Sequence, residues 1–227
     1  MADSLMFGGK DSLTGVTKTL VQCDFDGTIT EDDVSFLMLD AFADGDWRQI
    51  FREYEEGKIS VGRFNTDAFA MVKADRESLL EVATGKVRIR PGFHNLVAYC
   101  RSQGFRLVIV SNGLDFYIEE ILRDIGLGDL EVFAAKTYFH PEGIKVQYIG
   151  PDGSQLDADF KKAYVDSFLS EGYRVVYVGN GASDILPARQ CHYIFATGDL
   201  LAHCKQTNLS CTSFNDFKQV VSALERW

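Results

Sequence analysis

Two carboxylates stand one residue apart at the end of an apolar segment, in Val21-Gln22-Cys23-Asp24-Phe25-Asp26-Gly27-Thr28. A short apolar run bounded by turn residues predicts a buried strand, and residues i and i+2 of a strand share a face. Asp24 and Asp26 therefore repel each other unless a cation lies between them or one takes a proton. One carboxylate of such a pair can act as a nucleophile while its neighbour transfers protons. A purely structural role is the alternative, because Asp is common in turns.

The segment Asp24-Phe25-Asp26-Gly27-Thr28 resembles the first motif of the haloacid dehalogenase superfamily, which contains many phosphatases. Three further segments follow in the order of that superfamily's motifs. They are an apolar strand ending in Ser111, a lysine that opens a helix at Lys161 or Lys162, and the segment Val175–Asp184. The resemblance implies an α/β fold with a Rossmann-like parallel sheet, and a Mg²⁺-dependent hydrolase of phosphomonoesters.

The same resemblance implies roles for residues that act on the phosphate of a small phosphorylated metabolite. Asp24 attacks phosphorus to form an aspartyl-phosphate, and Asp26 protonates the leaving oxygen before deprotonating the hydrolytic water. Asp24 is expected to have the lower pKa, because it contacts a cation directly. Ser111 binds phosphate through its hydroxyl, and Asn112 helps through its backbone amide. Helix capping is the alternative role of Ser111.

The implied metal site combines Asp24 and Asp26 with Asn180 and Asp184 of the last motif, around Mg²⁺. The chain departs here from the commonest form of the superfamily, which has Asp at the position of Asn180. An amide oxygen can ligate Mg²⁺ but brings no negative charge, so weaker metal binding is expected. The glycines around Asn180 also resemble a dinucleotide-binding fingerprint, with Asp184 in place of its last glycine.

A lysine is needed to offset negative charge on the nucleophile and the phosphoryl oxygens. Two adjacent candidates, Lys161 and Lys162, open a predicted helix. Apolar or aromatic residues lie three, four and seven positions after Lys161, which places it on the buried face of that helix. Lys162 instead has Asp166 four positions on, which favours a solvated ion pair. We therefore choose Lys161.

The elements that position these residues alternate between strands and helices, which predicts a parallel sheet covered on both faces. Residues 32–85 hold four helical segments with apolar residues at i, i+3 and i+4. In the superfamily such an insertion is a small type-one cap. We therefore expect a loose tail over residues 1–17, an α/β core over 18–31 and 86–227, and a helical cap over 32–85.

Other segments of the core are also predicted from their patterns. The predicted strands cover 105–110, 131–135, 173–178 and 193–196, and the predicted helices cover 93–102, 115–125, 160–169 and 214–226. Between residues 136 and 159, Ile144, Val146 and Tyr148 alternate between turn signals, which predicts a small hairpin. A short helix starting near Ser183 is also expected.

Composition limits the classes of function. With 227 residues and 46% hydrophobic content, the chain can form one domain with a modest insertion. Its formal net charge of −10 argues against nucleic acid or an anionic membrane as a partner. No run approaches the roughly 18 apolar residues of a membrane span, and no signal peptide is recognised. The five scattered cysteines favour reduced thiols in the cytoplasm.

Two phosphatase groups within the superfamily are considered. Phosphoserine phosphatases have a substrate-contacting glutamate where this chain has Asp33, but their cap arginine has no direct counterpart, and Arg63 is the nearest substitute. The segment Val178–Asp184, with Pro187-Ala188 and Phe195–Cys204, resembles phosphatases of the methionine salvage pathway, which act on a methylthio-ketopentenyl phosphate. The aromatic residues of the cap suit a less polar substrate, although core packing explains them equally well.

Two hypotheses from other classes are kept beside the phosphatase. Asn180 motivates a catalytically weak protein that binds a phosphorylated metabolite without turnover. A phospho-acceptor signalling domain of the receiver type also uses clustered aspartates, a Ser or Thr, and a Lys. The long helical insertion after Asp26 argues against that second hypothesis.

Overall fold

The computed structural model describes residues 18–227, and the tail predicted over residues 1–17 lies outside the described part. Eight strands form one sheet. They are β1 (Thr19–Cys23), β2 (Arg106–Leu114), β3 (Glu131–His140), β4 (Gly143–Ile149), β5 (Gln155–Leu156), β6 (Arg174–Gly179), β7 (Tyr193–Ala196) and β8 (Thr212–Ser213). Their order is β5-β4-β3-β2-β1-β6-β7-β8, and all neighbours are parallel except the β3–β4 and β4–β5 pairs.

The described residues also form ten α-helices. They are α1 (Val34–Phe42), α2 (Trp47–Glu55), α3 (Val61–Phe69), α4 (Arg76–Lys86), α5 (Phe93–Gln103), α6 (Asp115–Asp124), α7 (Phe160–Ser170), α8 (Ile185–Ala188), α9 (Gly198–Thr207) and α10 (Phe217–Leu224). A single 3₁₀ turn, Ala182–Asp184, precedes α8. The predicted α/β class with a mostly parallel sheet is confirmed. No helix within residues 18–227 has the length and apolar character to cross a membrane.

β1 lies in the middle of the sheet, between β2 and β6, and runs parallel to both. Its last residue, Cys23, is in register with Ile109 of β2 and Val178 of β6. These strands are mainly apolar and buried, as expected for a parallel sheet with helices on both faces. The carboxyl ends of three adjacent strands therefore meet at one edge, where ligands bind in sheets of this kind.

The helices α1–α4, which we call the helical insert, separate β1 from α5, as the periodic pattern of residues 32–85 predicts. Each begins at a side chain that accepts a hydrogen bond from the amide three residues on, which satisfies an otherwise free helix N–H. These N-caps are Asp33, Asp46, Ser60 and Asp75. The segments that enter and leave the insert pair with each other through their backbones. The amide of Glu31 donates to the carbonyl oxygen of Arg88, and the amide of Arg90 donates to the carbonyl oxygen of Ile29. Within the fold, α3 packs against β4 and α4 against α6.

The structure extends two predicted strands and adds three elements. β2 continues beyond residue 110 to Leu114, with a shift in its pairing to β3 after Val110. β3 continues to His140 because its second half pairs antiparallel with β4, which forms the predicted hairpin. β4 also pairs with the short β5. Helix α9 and strand β8 are absent from the prediction, since α9 buries only Leu200 and Cys204 and carries no strong periodic pattern.

Candidate active site

Asp24 and Asn180 directly follow β1 and β6, and Ser111 lies in β2 two residues after Ile109, where the pairing of β2 with β1 ends. The three residues therefore lie at one edge of the central strands. A cavity of about 730 Å³ lies between this edge and helices α1–α3 of the insert. Asp24, Asp26, Asp33, Ser111, Asn112, Lys161 and Asn180 all line it. Residues that are far apart in the sequence are thus brought together around one cavity.

Lys161 is the cation of this site. Its Nζ lies 2.7 Å from Asp24 Oδ1 and 2.7 Å from Asp184 Oδ1, and its side chain is only 4% exposed. Burial and the charge of Asp184 raise the pKa of Asp24 to about 7, while Lys161 opposes that rise. Burial lowers the pKa of Lys161, but the charges of Asp184 and Asp24 raise it above its ordinary value. The lysine therefore stays charged beside the expected nucleophile.

The neighbouring lysine points elsewhere. The side chain of Lys162 is 36% exposed, and its Nζ pairs with Asp166 Oδ2 at 2.6 Å, one helical turn further along α7. This is the solvated ion pair expected from the i, i+4 spacing. Of the two lysines, Lys161 alone lines the cavity.

Asp184, which was predicted to be a metal ligand, is surrounded by hydrogen-bond donors of the protein. Its Oδ1 accepts hydrogen bonds from Lys161 Nζ and Tyr177 Oη, each at 2.7 Å. Its Oδ2 accepts from the backbone amides of Asn180 and Gly181, each at 2.9 Å. The side chain is completely buried. Because both oxygens are occupied by four donors, Asp184 holds Lys161 and the Asn180 loop rather than facing a metal.

Asp24 and Asn180 supply the oxygens that fit a metal. Thr28 Oγ1 donates to Asn180 Oδ1 at 3.0 Å and lies 3.5 Å from Asp24 Oδ2, so the carboxylate and the amide are close neighbours. Gly27, at φ +71°, allows this approach, since a Cβ there would collide with the Asn180 amide. Residues 18–227 contain no cluster of three His, Cys, Asp or Glu side chains arranged for a metal. One carboxylate and one amide oxygen suit Mg²⁺, which takes few protein ligands and completes its shell with phosphate and water.

The carboxyl of Asp26 is held by Val34 and Tyr117. Its Oδ1 accepts from the amide of Val34 at 3.0 Å, and its Oδ2 accepts from the hydroxyl of Tyr117. Burial, and then the charge of Asp33, raise the pKa of Asp26 well above its ordinary range. Asp26 therefore tends to hold a proton, as a general acid must. Each side-chain oxygen of Asp26 thus accepts one hydrogen bond, and the metal contact expected for Asp26 stays a prediction.

Asp33 and Arg63, the two predicted substrate contacts of the insert, separate in the structure. Asp33 caps α1, lines the cavity, and has its pKa raised to about 6 by burial. The side chain of Arg63 is 66% exposed and pairs with Asp67 at 2.6 Å. Arg63 does not line the cavity, because it lies on the solvent side of α3. The predicted substitution for a substrate-binding arginine is therefore not supported.

The segment predicted to bind phosphate, Ser111-Asn112, is tied to α3 and β4 by contacts that the sequence did not predict. Ser111 is buried, and its Oγ accepts from the amide of Gly113 at 3.0 Å. The backbone oxygen of Asn112 accepts from Asn65 Nδ2 at 2.9 Å and from Tyr148 Oη at 2.6 Å. Asn65 comes from α3 and Tyr148 from β4. The one available signal was a polar residue, Asn65, within the apolar stripe of α3.

The cavity has an uneven distribution of charge and polarity. Its side chains include six carboxylates, and these belong to Asp24, Asp26, Glu31, Asp33, Glu55 and Asp199. Lys161 is the single basic residue among the described residues that line it. The insert contributes an apolar wall, consisting of Phe36, Phe51, Tyr54, Val61 and Phe64. Phe36 packs against Phe51 with ring centroids 4.9 Å apart, and Tyr54 stacks on Phe64 at 6.0 Å.

Comparisons with known proteins agree with this geometry. The sequence profile of the haloacid dehalogenase-like hydrolases matches residues 21–189. A Geobacillus kaustophilus protein is 31% identical over 218 residues, covering 93% of this chain and 98% of that protein. A Brevibacillus brevis protein is 26% identical over 213 residues, covering 92% and 96%. Both are named 2-hydroxy-3-keto-5-methylthiopentenyl-1-phosphate phosphatase.

Two solved structures share the fold. One is a phospho-aspartyl intermediate analogue of phosphoserine phosphatase, with a TM-score of 0.68 and 17% identity, covering 91% of this chain and 99% of that one. The other is a substrate-bound phosphoserine phosphatase, with a TM-score of 0.66 and 18% identity, covering 91% and 98%. At this level of identity the likeness concerns the fold.

Proposed function

We propose that this chain, which belongs to the haloacid dehalogenase-like hydrolase family and is a phosphatase, removes phosphate from 2-hydroxy-3-keto-5-methylthiopentenyl-1-phosphate. The observation that carries this proposal is the composition of the cavity, which is lined by one ammonium group and by an apolar wall of the insert. That arrangement suits a substrate with one phosphate and an uncharged, sulfur-containing tail. The names of the two bacterial relatives support the same substrate.

Asp24 is the proposed nucleophile. An oxygen of its carboxylate forms a bond to phosphorus as the bond from phosphorus to the leaving oxygen breaks, and the electron pair stays on the leaving oxygen. Lys161, 2.7 Å from Asp24 Oδ1, orients the carboxylate and offsets charge that develops on the phosphoryl group. Asp184 keeps Lys161 in place through the opposite side of the same ammonium group.

Asp26 is the proposed acid and base. In the first step its carboxyl gives a proton to the leaving oxygen, which departs as an alcohol. In the second step the carboxylate takes a proton from a water molecule as that water attacks phosphorus and the bond to Asp24 breaks. The raised pKa of Asp26 supports the first role, since burial and the charge of Asp33 favour the protonated form of the carboxyl.

Asp24 and Asn180 would hold the Mg²⁺ that the family implies. When bound, the ion neutralises phosphate charge and orients the phosphoryl group. The remaining contacts to phosphate come from this chain. Ser111 lies in β2 with its side chain buried beside the cavity, and Asn65 of the insert and Tyr148 of β4 hold the backbone oxygen of Asn112.

The proposed substrate and phosphoserine differ in the end that lies away from the phosphate. This end is charged in phosphoserine and uncharged in the methylthiopentenyl phosphate. Phosphoserine would bring an ammonium group, which the six carboxylates of the cavity can pair with, and a carboxylate, for which the cavity offers only Lys161, already engaged by Asp24 and Asp184. An unpaired buried charge is costly. A methylthio group, in contrast, packs favourably against aromatic rings. The cavity therefore favours the uncharged tail.

The test of the substrate is a comparison of kcat/KM for the methylthiopentenyl phosphate and for phosphoserine, with Mg²⁺ present. We expect a preference of about 100-fold or more for the first, because it gains apolar burial and avoids an unpaired carboxylate. Replacing Phe51 with Ser should reduce that preference, whereas replacing the surface residue Tyr138, which is 46% exposed, with Ser should leave it unchanged. Equal or better hydrolysis of phosphoserine would overturn the proposed substrate.

A second prediction concerns Asn180. Asn180→Asp should tighten Mg²⁺ binding by about tenfold, because it adds a full charge to a site that has one facing carboxylate. Calorimetric titration with Mg²⁺ measures this without turnover. With Mg²⁺ removed by a chelator, the Asn180→Asp variant should also melt at a lower temperature than the parent, since the new carboxylate lies close to Asp24. Asn208→Asp adds the same charge at an exposed position at the far end of α9, and it should leave the Mg²⁺ affinity unchanged. Unchanged Mg²⁺ affinity in Asn180→Asp would exclude Asn180 from the metal site.

A further inference from the structure

Tyr117 makes a direct contact with the proposed acid and base. It lies on α6, is completely buried, and donates its hydroxyl hydrogen to Asp26 Oδ2. The same hydroxyl oxygen lies 2.9 Å from Ser35 Oγ on α1. A chain of hydrogen bonds therefore runs from Ser35 in the helical insert, through Tyr117 in the core, to the carboxyl of Asp26.

The space for this contact is created by Gly113. A Cβ at Gly113 would collide with both Tyr117 Oη and Asp26 Oδ2. Gly113 directly follows the phosphate-binding segment and has no left-handed backbone conformation that would demand glycine. The absence of a side chain therefore matters here because two functional groups meet at that point.

Both oxygens of Asp26 are fixed by the first turn of α1. Oδ1 accepts directly from the amide of Val34 at 3.0 Å, and Oδ2 is reached by Tyr117, whose hydroxyl contacts Ser35. Two partners on different oxygens prevent rotation of the carboxyl about its Cβ–Cγ bond. A carboxyl oxygen that accepts one hydrogen bond still has a lone pair that can carry the transferred proton. The carboxyl is thus oriented without being blocked.

We propose that Tyr117 is a positioning residue, which holds the carboxyl of Asp26 toward the leaving oxygen of the substrate. Ser35 assists by donating its hydroxyl hydrogen to Tyr117 Oη, which leaves the hydrogen of Tyr117 for Asp26 Oδ2. This inference rests on the proposed function, in which Asp26 protonates the leaving oxygen. Tyr117 itself transfers no proton to the substrate.

The test uses the dependence of the rate on the leaving group. Nitrophenolate departs readily without a proton, whereas phenolate and alkoxides need one. Tyr117→Phe should therefore lower kcat/KM for phenyl phosphate by about 30-fold, part of the usual contribution of a general acid, and for para-nitrophenyl phosphate by less than about 3-fold. A residue with only a structural role would lower both values equally. Because kcat/KM reports the step in which the leaving group departs, the later hydrolysis of the intermediate does not enter.

Matched variants complete the experiment. Tyr164→Phe removes a buried hydroxyl that donates to Ile149 O, away from Asp26, and should affect both substrates equally and slightly. Ser35→Ala should give a smaller selective loss. The double variant of Ser35 and Tyr117 should lose no more selectivity than Tyr117→Phe alone, because Ser35 acts through Tyr117.

Two results would overturn the inference, and they are distinguishable. If Tyr117→Phe lowers kcat/KM equally for both substrates while the parent is active, Tyr117 does not position the acid. The proposed function would be unaffected by that result. If Asp26→Asn cleaves phenyl and para-nitrophenyl phosphate as fast as the parent does, Asp26 is not the general acid, and both the acid role and the inference are overturned. If Tyr117→Phe does not fold, the selective loss in Ser35→Ala decides: its presence supports the chain, and its absence overturns it.

Discussion

Asp24→Asn should abolish phosphate release while leaving the fold intact. The carboxylate is the proposed nucleophile, and an amide in its place cannot form the aspartyl-phosphate, so we expect a loss of at least about 10³-fold in kcat. The fold should tolerate the change. Burial and Asp184 disfavour the charged form of Asp24, and Lys161 keeps Asp184 as a partner. The loss is measured as phosphate release from para-nitrophenyl phosphate with Mg²⁺, beside a thermal melt of each protein.

An exposed carboxylate, that of Asp166, provides the control for this experiment. Asp166→Asn, which removes an exposed carboxylate paired with Lys162, should retain the activity of the parent. Turnover that survives in Asp24→Asn would show that Asp24 is not the nucleophile. A parent that binds phosphorylated metabolites but releases no phosphate would instead support the weak binding protein suggested by Asn180. A stable phosphorylated Asp24 that is not hydrolysed would support the phospho-acceptor hypothesis.

Lys161→Met should damage both stability and catalysis. The substitution leaves the buried carboxylates of Asp24 and Asp184 without the cation that lies 2.7 Å from each of them. Removal of one partner from a buried ion pair typically costs about 3–5 kcal/mol of unfolding free energy. Loss of the positive charge beside the nucleophile should also lower kcat/KM by about 10²-fold or more. Denaturant unfolding and kinetic assays measure the two effects separately.

The adjacent lysine provides the matched control. Lys162→Met removes only a partly exposed pair with Asp166, so it should change the unfolding free energy by less than about 1 kcal/mol and leave kcat/KM unaffected. Adding Asp184→Asn to Lys161→Met should recover part of the stability without restoring activity, since one of the two uncompensated charges is gone. A larger effect in Lys162→Met than in Lys161→Met would contradict the assignment of the cation.

Local patterns in the sequence predict the fold and several site positions. The apolar runs before Asp24 and Ser111 indicate strands that end at one edge of a sheet, and the structure has them in adjacent positions. The periodic residues of 32–85 indicate the four helices of the insert. The choice of Lys161 over Lys162 depended only on which face of one predicted helix is buried. Each of these inferences depends on neighbours within about one or two turns, which the sequence shows directly.

Other features depend on which distant segments pack together. Asp184 was predicted as a metal ligand from the motif, but its orientation toward Lys161 and Tyr177 follows from how α7 lies against β6. Arg63 was predicted as a substrate contact, but the packing of α3 on β4 turns it to solvent. The same packing brings Asn65 to Tyr148, which is 83 positions away in the chain.

The sequence by itself therefore determined the class of fold, the order of the motifs and the residue types available for phosphate chemistry. The tertiary structure decided how those groups are held. Tyr117 illustrates the difference, because it lies 91 positions from Asp26 and reads locally as an ordinary core residue of α6. Local periodicity records which face of an element is buried, but not which polar group it meets there. That second property is set by the packing of the helical insert and α6 around the end of β1.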